Sequence, residues 1–196
     1  GNLVIYLNSE SYCIVYNAVS KDIVDKLVEI VRINLVETEI DLSDCSKSLS
    51  EYNPSIGFSN IYASLSKNVE NIRFVAYQPK KRITHKIKKI FDRLTGFILL
   101  PELTEWMMLA TSKDIIIVSC GKGINFRNFP VHKRSYLHVP YKSITAISVE
   151  YDESYKDVLQ YEFAAGNNSF IIKTSTQNSC INELNNFISV IRTLNA

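Results

Sequence analysis

The sequence predicts an α+β protein made of two modules, residues 1–96 and residues 97–196. The first half mixes short β-type runs with two segments in which apolar residues recur at helical spacing. The second half is a series of short β-type runs that ends in one helical segment. With 46% hydrophobic and 21% charged residues, the chain has enough apolar surface to form a folded core.

The N-terminal module is expected to begin with a hairpin and a helix. Runs rich in Val, Ile and Tyr at 3–7 and 12–19 flank a polar stretch, which indicates two paired strands. Ser20 is a suitable N-cap for the segment that follows. Residues 20–33 are therefore predicted to form an amphipathic helix, whose apolar stripe comprises Ile23, Leu27, Ile30 and Val31.

The rest of this module is predicted to contain three strands and a second helix. Residues 36–42 alternate apolar and acidic side chains, as a strand with one solvated face does, and residues 43–55 have a loop composition. Residues 61–65 and 72–77 are predicted to form a second hairpin. Pro79 then opens a predicted helix that extends to Leu94. Its apolar stripe comprises Ile83, Ile87, Ile90, Phe91 and Leu94, and Gly96 follows as its stop.

The second module is expected to be antiparallel β-structure closed by a helix. Six β-type runs occur at 105–110, 115–119, 135–139, 144–151, 158–164 and 170–173. The final helix has one apolar face, made of Ile181, Leu184, Phe187, Ile188, Ile191 and Leu194. This order predicts a small barrel whose open end is plugged by the helix.

Two motifs in the second module resemble pleckstrin-homology-like domains of the GRAM and bacterial type. Residues 109–118 (LATSKDIIIV) match a T-x-x-x-ϕ-ϕ-ϕ strand, in which ϕ is apolar, and residues 139–147 (VPYKSITAI) match a later ϕ-P-ϕ-x-x-I strand. The resemblance covers residues 103–196. It implies an antiparallel β-barrel capped by a C-terminal helix.

The first module resembles longin-like domains of membrane-traffic proteins. The resemblance rests on residues 60–65 (NIYASL) and 72–77 as a closing hairpin and on residues 79–94 as the helix after it. An alternative is that this half is a divergent pleckstrin-like barrel, which would make the chain a tandem pair. In that case the helix at 20–33 would have to be an insertion.

Two basic segments stand out in a chain whose net charge is only +2. Residues 73–93 contain eight basic side chains and one acidic side chain, and residues 113–142 contain six and one. Clustered lysines and arginines attract anionic lipid or phosphate, although solvated lysines beside a buried apolar stripe have the same pattern. The candidate lipid- or anion-binding residues are Lys80, Lys81, Arg82, Lys86, Lys88, Lys89, Arg93, Lys122, Arg127, Lys133 and Arg134. In pleckstrin-like domains that bind phosphoinositides, basic residues of the first strand-to-strand loops form the phosphate cradle, so the resemblance adds weight to the second group.

The sequence does not favour catalysis, a metal or a cofactor. There is no Gly-x-Ser-x-Gly turn, although distant residues can also assemble a triad. Gly121-Lys122-Gly123 lacks the residues of a phosphate-binding loop. Three histidines and four dispersed cysteines have no metal-ligand spacing, and the cysteines are expected to be small buried hydrophobes in a reducing compartment. Trp106 is expected to pack in the core.

These observations lead to three hypotheses on function. The first is a non-catalytic adaptor in membrane trafficking that binds protein partners and, through its basic surfaces, anionic lipid. The second is a tandem pleckstrin-like module that binds nucleic acid or histones, which the sparse arginines and the lack of interleaved aromatics fit less well. The third is an assembly subunit of a larger complex. No apolar run approaches the roughly 20 residues that span a bilayer, and the start lacks a signal-peptide pattern, so a cytoplasmic, peripherally membrane-associated protein is predicted.

Overall fold

The computed structural model describes residues 2–7, 10–15, 21–42, 48–69, 71–83, 102–120, 124–126, 134–166 and 168–194. Side chains are described from residue 22 onward, except at 68, 124–126 and 134. Within these ranges the protein is α+β. Its helices are α1 (Lys21–Ile33), α2 (Ile56–Asn68) and α3 (Ile181–Leu194), with short 3-10 helices at Leu49–Tyr52 and Tyr141–Ser143.

The described strands number twelve. In chain order they are β1 (Asn2–Leu7), β2 (Glu10–Val15), β3 (Phe74–Gln78), β4 (Lys81–Arg82), β5 (Glu102–Leu103), β6 (Trp106–Ala110), β7 (Asp114–Cys120), β8 (Ile124–Phe126), β9 (Arg134–Pro140), β10 (Ile144–Tyr151), β11 (Val158–Ala165) and β12 (Asn168–Ser175). A six-stranded sheet has the order β2-β1-β9-β7-β6-β3, in which only the β1–β9 pair is parallel. A four-stranded antiparallel sheet has the order β10-β11-β12-β8, and β4 pairs with β5.

The six-stranded sheet is covered on both faces. On one face Tyr77 makes an edge-to-face contact with Phe58 of α2. On the other face Phe74 stacks on Phe187 of α3, with ring centroids 4.5 Å apart. Because successive side chains of a strand point to opposite faces, the alternation along β3 places α2 and α3 on opposite sides of the sheet.

The two larger sheets share one apolar core that α3 helps to close. The helix buries Leu184, Phe187, Ile188 and Ile191, and the core also contains Trp106 and both methionines. Trp106 is fully buried, as predicted, and its indole Nε1 donates a hydrogen bond to the carbonyl of Lys173 on β12 at 2.8 Å. This bond joins the two sheets directly.

The α+β class, the first hairpin, the helix α1 and the C-terminal helix of the prediction are confirmed. So are all six predicted strands of the second half, with small changes at their ends. The expected single barrel is not seen, because the described strands form separate sheets that face each other. The chain passes from one sheet to the other where β9 leads through Tyr141–Ser143 into β10.

The prediction of a second hairpin with a strand at 61–65 is wrong, because these residues lie within α2. The Ser55 hydroxyl accepts a hydrogen bond from the Phe58 amide at 3.4 Å and caps the helix. Phe58, Ile61 and Leu65 then recur at i, i+3 and i+7, which is helical spacing. The run at 61–65 is too short to show this period by itself.

The predicted strand at 36–42 is also wrong, although its alternation is meaningful. Ile40 and Leu42 are buried while Glu39 and Asp41 are exposed, yet no strand ladder forms there. The Leu49–Tyr52 helix lies in the segment predicted to be a loop. The alternating burial of residues 36–42 therefore arises because their side chains pack on the sheet, although their backbone does not pair with a strand.

The start of the helix predicted from Pro79 is wrong, because Lys81 and Arg82 pair with Leu103 and Glu102 as strands. The remainder of that helix lies outside the described residues. So does the proposed module boundary at residue 96, which stays a prediction. The six-stranded sheet nevertheless contains strands from both sides of that boundary, since β3 pairs with β6.

Candidate partner-binding groove

A groove of about 860 Å³ lies between α1 and α2, and its floor is the strand β9. The α1 wall includes Val24, Val28 and Arg32, and the α2 wall includes Ile61 and Leu65. Tyr136 and His138 form the floor, and Ser112 and Lys113 of the β6–β7 turn also line the groove. Charged and polar side chains of both helices also line the groove, so its walls are mixed, unlike the mostly apolar pockets that hold small ligands.

The helix α1 has apolar side chains on two faces. Val24 is buried against Leu27, Val28 and Val31, and these four residues form a small apolar cluster separate from the main core. On the other face Ile23 and Ile30 are 72% and 60% exposed, and Ile33, at the end of the helix, is 68% exposed and lines the groove. A helix with apolar residues around most of its circumference is usually covered on all sides. Within the part of the chain that the structure describes, α1 is covered on one side.

The α2 wall is open because its residues are small. Gly57, Asn60 and Ser64 line the groove at i, i+3 and i+7, which places them on one face of the helix. A Cβ at Gly57 would meet only the Ser55 hydroxyl, at 3.8 Å. The space beside this face belongs to the groove rather than to packed side chains.

A tight turn between β6 and β7 positions the buried carboxylate of Asp114. The Thr111 hydroxyl accepts hydrogen bonds from the amides of Lys113 and Asp114, at 3.0 and 3.1 Å. The same hydroxyl lies 2.7 Å from Asp114 Oδ1, to which it donates. The Tyr141 hydroxyl donates to the Thr111 carbonyl at 2.7 Å. The turn therefore holds Asp114 in one orientation beneath the groove.

Asp114 connects α1 to the groove floor. Its Oδ2 atom lies 3.0 Å from Nη1 of Arg32 and 3.1 Å from Nδ1 of His138. The Asp114 side chain is fully buried, whereas those of Arg32 and His138 are 13% and 12% exposed. Burial alone would raise the pKa of Asp114, but the hydrogen bond from His138 and the charges of His138 and Arg32 outweigh it and lower the pKa.

Three of the predicted anion-binding residues are described, and they lie away from this groove. Lys80 and Arg82 both contact the Glu102 carboxylate, at 2.7 and 3.3 Å. The hydrogen bond from Lys80, with a smaller effect of Arg82, lowers the pKa of Glu102. Lys81 donates to the Ser175 hydroxyl at 2.7 Å and to Gln177 at 3.1 Å. These residues follow the Gln78 end of β3, whereas the groove lies toward the Phe74 end, where β3 meets Ala110.

The remaining predicted residues cannot be placed in a site. The side chain of Arg134, the first residue of β9, lies outside the described part of the chain. The same holds for Lys86, Lys88, Lys89, Arg93, Lys122, Arg127 and Lys133. Their proposed role in anion binding stays a prediction.

Sequence reasoning missed the cluster of Arg32, Asp114 and His138. Arg32 is 82 residues from Asp114, and His138 is 24 residues from it, so no local motif joins them. A usable signal was present at Thr111 and Asp114, since a threonine and an aspartate between two apolar runs are typical of a side-chain-stabilised turn. That signal indicates the turn but not the partners of the carboxylate.

Among the described residues, no helix is long and apolar enough to cross a membrane, and no three His, Cys, Asp or Glu side chains converge as metal ligands. Comparison of the chain with protein-family models, curated proteins and solved structures gives no match.

Proposed function

We propose that the protein is a non-catalytic recognition module that binds a segment of a partner protein in the groove between α1 and α2. The observation that carries the proposal is the separation of the α1 apolar cluster from the main core by this groove. A partner segment with apolar side chains would contact Val24 and Val28 on one wall and Ile61 and Leu65 on the other. Burial of apolar surface on both walls would drive binding.

The size and shape of the groove suit a short peptide segment. Its volume of about 860 Å³ is within the range of pockets that hold a few side chains. Two helices form its walls, an arrangement that accepts an amphipathic helix or an extended strand. The exposed Ile23 and Ile30 continue the apolar surface beyond the α1 wall, to which Ile33 belongs. The partner is therefore proposed to be a protein rather than a small metabolite.

The non-catalytic part of the proposal rests on the surroundings of His138. Its Nδ1 is hydrogen-bonded to Asp114, as in a catalytic dyad, but a dyad acts through a nucleophile within hydrogen-bond reach of the other ring nitrogen. No hydroxyl or thiol of the described residues is hydrogen-bonded to His138 in this structure. The Asp114–His138 pair is instead proposed to fix the groove floor.

A displayed library of random linear peptides tests the proposal. We expect the wild-type protein to enrich peptides with spaced apolar residues. Ser64→Trp, which fills the groove, should weaken their binding by roughly tenfold or more, equivalent to about 1.4 kcal/mol. Ser66→Trp is the matched control, because Ser66 lies two residues along α2 and does not line the groove. Equal binding by both variants, or no enrichment by the wild type, would contradict the proposal.

A finer description of the fold is also proposed. The strands from β6 to β12 and the buried face of α3 follow the element order of the pleckstrin-homology-like resemblance, although in the form of two facing sheets. The longin-like assignment of residues 1–96 is kept as a proposal on the order of β1, β2 and α1, because the hairpin that suggested it is absent and residues 61–65 lie within α2. A solved structure of a related chain with either topology would test this assignment.

As a second function we propose peripheral association with anionic membranes in the cytoplasm, in keeping with an adaptor of membrane trafficking. The observation that favours it is that Lys80 and Arg82, which are 65% and 74% exposed, share a single carboxylate, so a positive charge remains at this surface. Each basic residue near an anionic surface contributes about 1 kcal/mol, and the contribution falls as salt rises.

Sedimentation with phosphatidylserine vesicles tests the membrane proposal. Lys80→Gln with Arg82→Gln should reduce the bound fraction at low salt, and Lys86→Glu with Lys88→Glu and Lys89→Glu should reduce it further. Lys156→Gln is the control for a general loss of charge, since Lys156 is exposed in the β10–β11 connection. Vesicle binding that is absent at low salt, or unchanged in both variants, would end the membrane proposal and leave the groove proposal untouched.

A further inference from the structure

The hydrogen bonds of Asp114 determine which nitrogen of His138 carries the proton. Both carboxylate oxygens of Asp114 accept hydrogen bonds, Oδ1 from the Thr111 hydroxyl and Oδ2 from Arg32. An ionised carboxylate has no proton to donate, so Nδ1 of His138, 3.1 Å from Oδ2, must be the donor. In a neutral imidazole the other nitrogen, Nε2, then has a free lone pair and is a hydrogen-bond acceptor.

The Nε2 edge of the ring is the edge that a ligand in the groove can reach. Nδ1 points to a carboxylate that is fully buried, whereas the His138 side chain is 12% exposed and lines the groove. No described residue is hydrogen-bonded to Nε2. Nε2 is not among the buried side-chain atoms without a partner in the described residues, so water can reach it in the free protein. A ligand that displaces this water loses affinity unless it supplies a donor to Nε2.

The charges around the groove favour a neutral donor. Arg32 is paired with Asp114, so the two cancel. Among the lining residues that the structure describes, three basic and three acidic side chains then remain, and they are Lys26, Lys67, Lys113, Asp25, Glu29 and Glu37. These six also balance, and a charged ligand would gain little net attraction from them. A hydroxyl or carboxamide donor would reach Nε2 without the desolvation cost of an ammonium group.

We infer that the groove recognises a partner segment in which a serine, threonine, asparagine or glutamine side chain donates a hydrogen bond to Nε2 of His138, between apolar residues that contact the half-buried Val28 and Leu65. The inference rests on the proposed protein-binding function and names the chemistry of the ligand. Apolar contacts supply affinity, and the Nε2 acceptor on the floor sets the register of the segment. An otherwise similar segment with an apolar residue at that point would leave Nε2 desolvated and unpaired.

The first test needs no ligand and no variant. Nitrogen-15 NMR of the imidazole rings, recorded over a pH series, distinguishes bare from protonated ring nitrogens. In the neutral ring of His138 we expect Nδ1 to be protonated and Nε2 to be bare. The opposite tautomer would overturn the inference regardless of what the groove binds.

The second test is a double-mutant cycle on peptides that the wild-type protein enriches from a displayed random library. We expect one peptide position to prefer Ser, Thr, Asn or Gln. His138→Phe should weaken the binding of these peptides roughly tenfold, and replacement of the donor residue by Val should have the same effect. In the double variant the two losses should not add, because they remove one hydrogen bond.

The outcomes separate the two proposals. Absence of any enriched peptide, with Nε2 bare by NMR, overturns the proposed groove function. If Ser64→Trp abolishes the enrichment and His138→Phe leaves it unchanged, the proposed groove function is supported and the donor inference is overturned. Enrichment of Lys or Arg at the key position also overturns it, since that result would show a cationic donor.

Discussion

Arg32 and Asp114 form an ion pair at 3.0 Å between the last turn of α1 and the first residue of β7. The carboxylate is fully buried, and the Lys113 ammonium lies 3.5 Å from the Arg32 carbonyl in the same junction. The amide of Thr38, just after the helix, donates to the Ser112 carbonyl at 2.7 Å. Because the apolar cluster of α1 is separate from the main core, these polar contacts fasten the helix and set the width of the groove.

Arg32→Ala should destabilise the protein by about 2–3 kcal/mol, as measured by urea unfolding. Removal of one partner of a buried ion pair leaves the other charge uncompensated and typically costs roughly 3–5 kcal/mol. The loss is expected to be smaller here, because Arg32 is partly exposed and Asp114 keeps its contacts with His138 and Thr111.

Glu29→Ala is the matched control for this prediction. Glu29 lies one turn earlier on α1 and lines the groove without the ion pair, so its loss should change stability by less than about 0.5 kcal/mol. Equal destabilisation by the two variants would show that helix propensity, rather than the contact with Asp114, accounts for the effect.

The stabilising effect of Asp114 should depend on pH in a defined direction. Despite burial, which raises it, the pKa of Asp114 in the folded protein is below the ordinary value of 3.8 because of His138 and Arg32. A carboxylate with a lowered pKa stabilises the fold above the pKa of the unfolded chain and loses this effect as the pH falls through the folded-state pKa. The difference in unfolding free energy between wild type and Asp114→Asn should be present above the pKa of the unfolded carboxyl group and shrink below about pH 4.

Urea titrations of both proteins at a series of pH values measure this difference. Glu153→Gln, at an exposed site, is the control and should show a small difference that does not change with pH. A difference for Asp114→Asn that stays constant from neutral to acid pH would mean that the carboxylate charge is not what stabilises the fold.

The sequence predicted those elements whose period extends over enough residues to be unambiguous. The final helix presents Leu184, Phe187, Ile188 and Ile191 over two turns, and these side chains are buried as expected. For α1 the sequence predicted the helical period correctly but the wrong buried face, since Val24 is buried while Ile23 and Ile30 are exposed. When apolar residues occupy most of a helix surface, the spacing of these residues alone does not determine which face of the helix is buried.

The groove could not be predicted because its residues come together only through the tertiary structure. His138 looked like an isolated histidine in a β-type run, and its significance depends on the cross-strand pairing of β7 with β9, which places it opposite Ile116. The parallel pairing of β1 with β9 likewise joins residues more than a hundred positions apart, as at Leu3 and Tyr136. Local patterns predict strands, but not which distant strand each will pair with.

The Cys180 thiol should be unreactive in the folded protein. Burial is the main cause that raises its pKa to about 12, so very little thiolate is present near neutrality, and reagents cannot reach the sulfur. We expect the Cys180 peptide to remain unmodified after iodoacetamide treatment at about pH 8 and to become alkylated in urea, as read by mass spectrometry. Ser148→Cys, at an exposed position of β10, should be labelled without urea. Labelling of Cys180 at the same rate would contradict the buried position.

Gln78→Leu should destabilise the fold by about 2 kcal/mol or more, although the volume change is small. Gln78 is fully buried, and its Oε1 accepts hydrogen bonds from the Thr174 hydroxyl at 2.6 Å, the Ser175 amide at 3.1 Å and the Asn178 carboxamide at 2.8 Å. These bonds join β3 to the end of β12 and to the turn before α3. Leucine leaves the Thr174 hydroxyl and the Ser175 amide without this acceptor in a buried site, whereas the Asn178 carboxamide keeps the Tyr77 carbonyl as an acceptor. Each unsatisfied group costs roughly 1–3 kcal/mol.

Gln160→Leu is the matched control for the Gln78 prediction, since Gln160 is a half-buried glutamine on β11 without this network. Its urea midpoint should stay close to that of the wild type. If Gln78→Leu unfolds at the same urea concentration as Gln160→Leu, water must satisfy the donors of Thr174 and Ser175, and this acceptor would not be needed to hold the two sheets together. A loss confined to Gln78→Leu would instead show that this acceptor holds the end of β12 against β3.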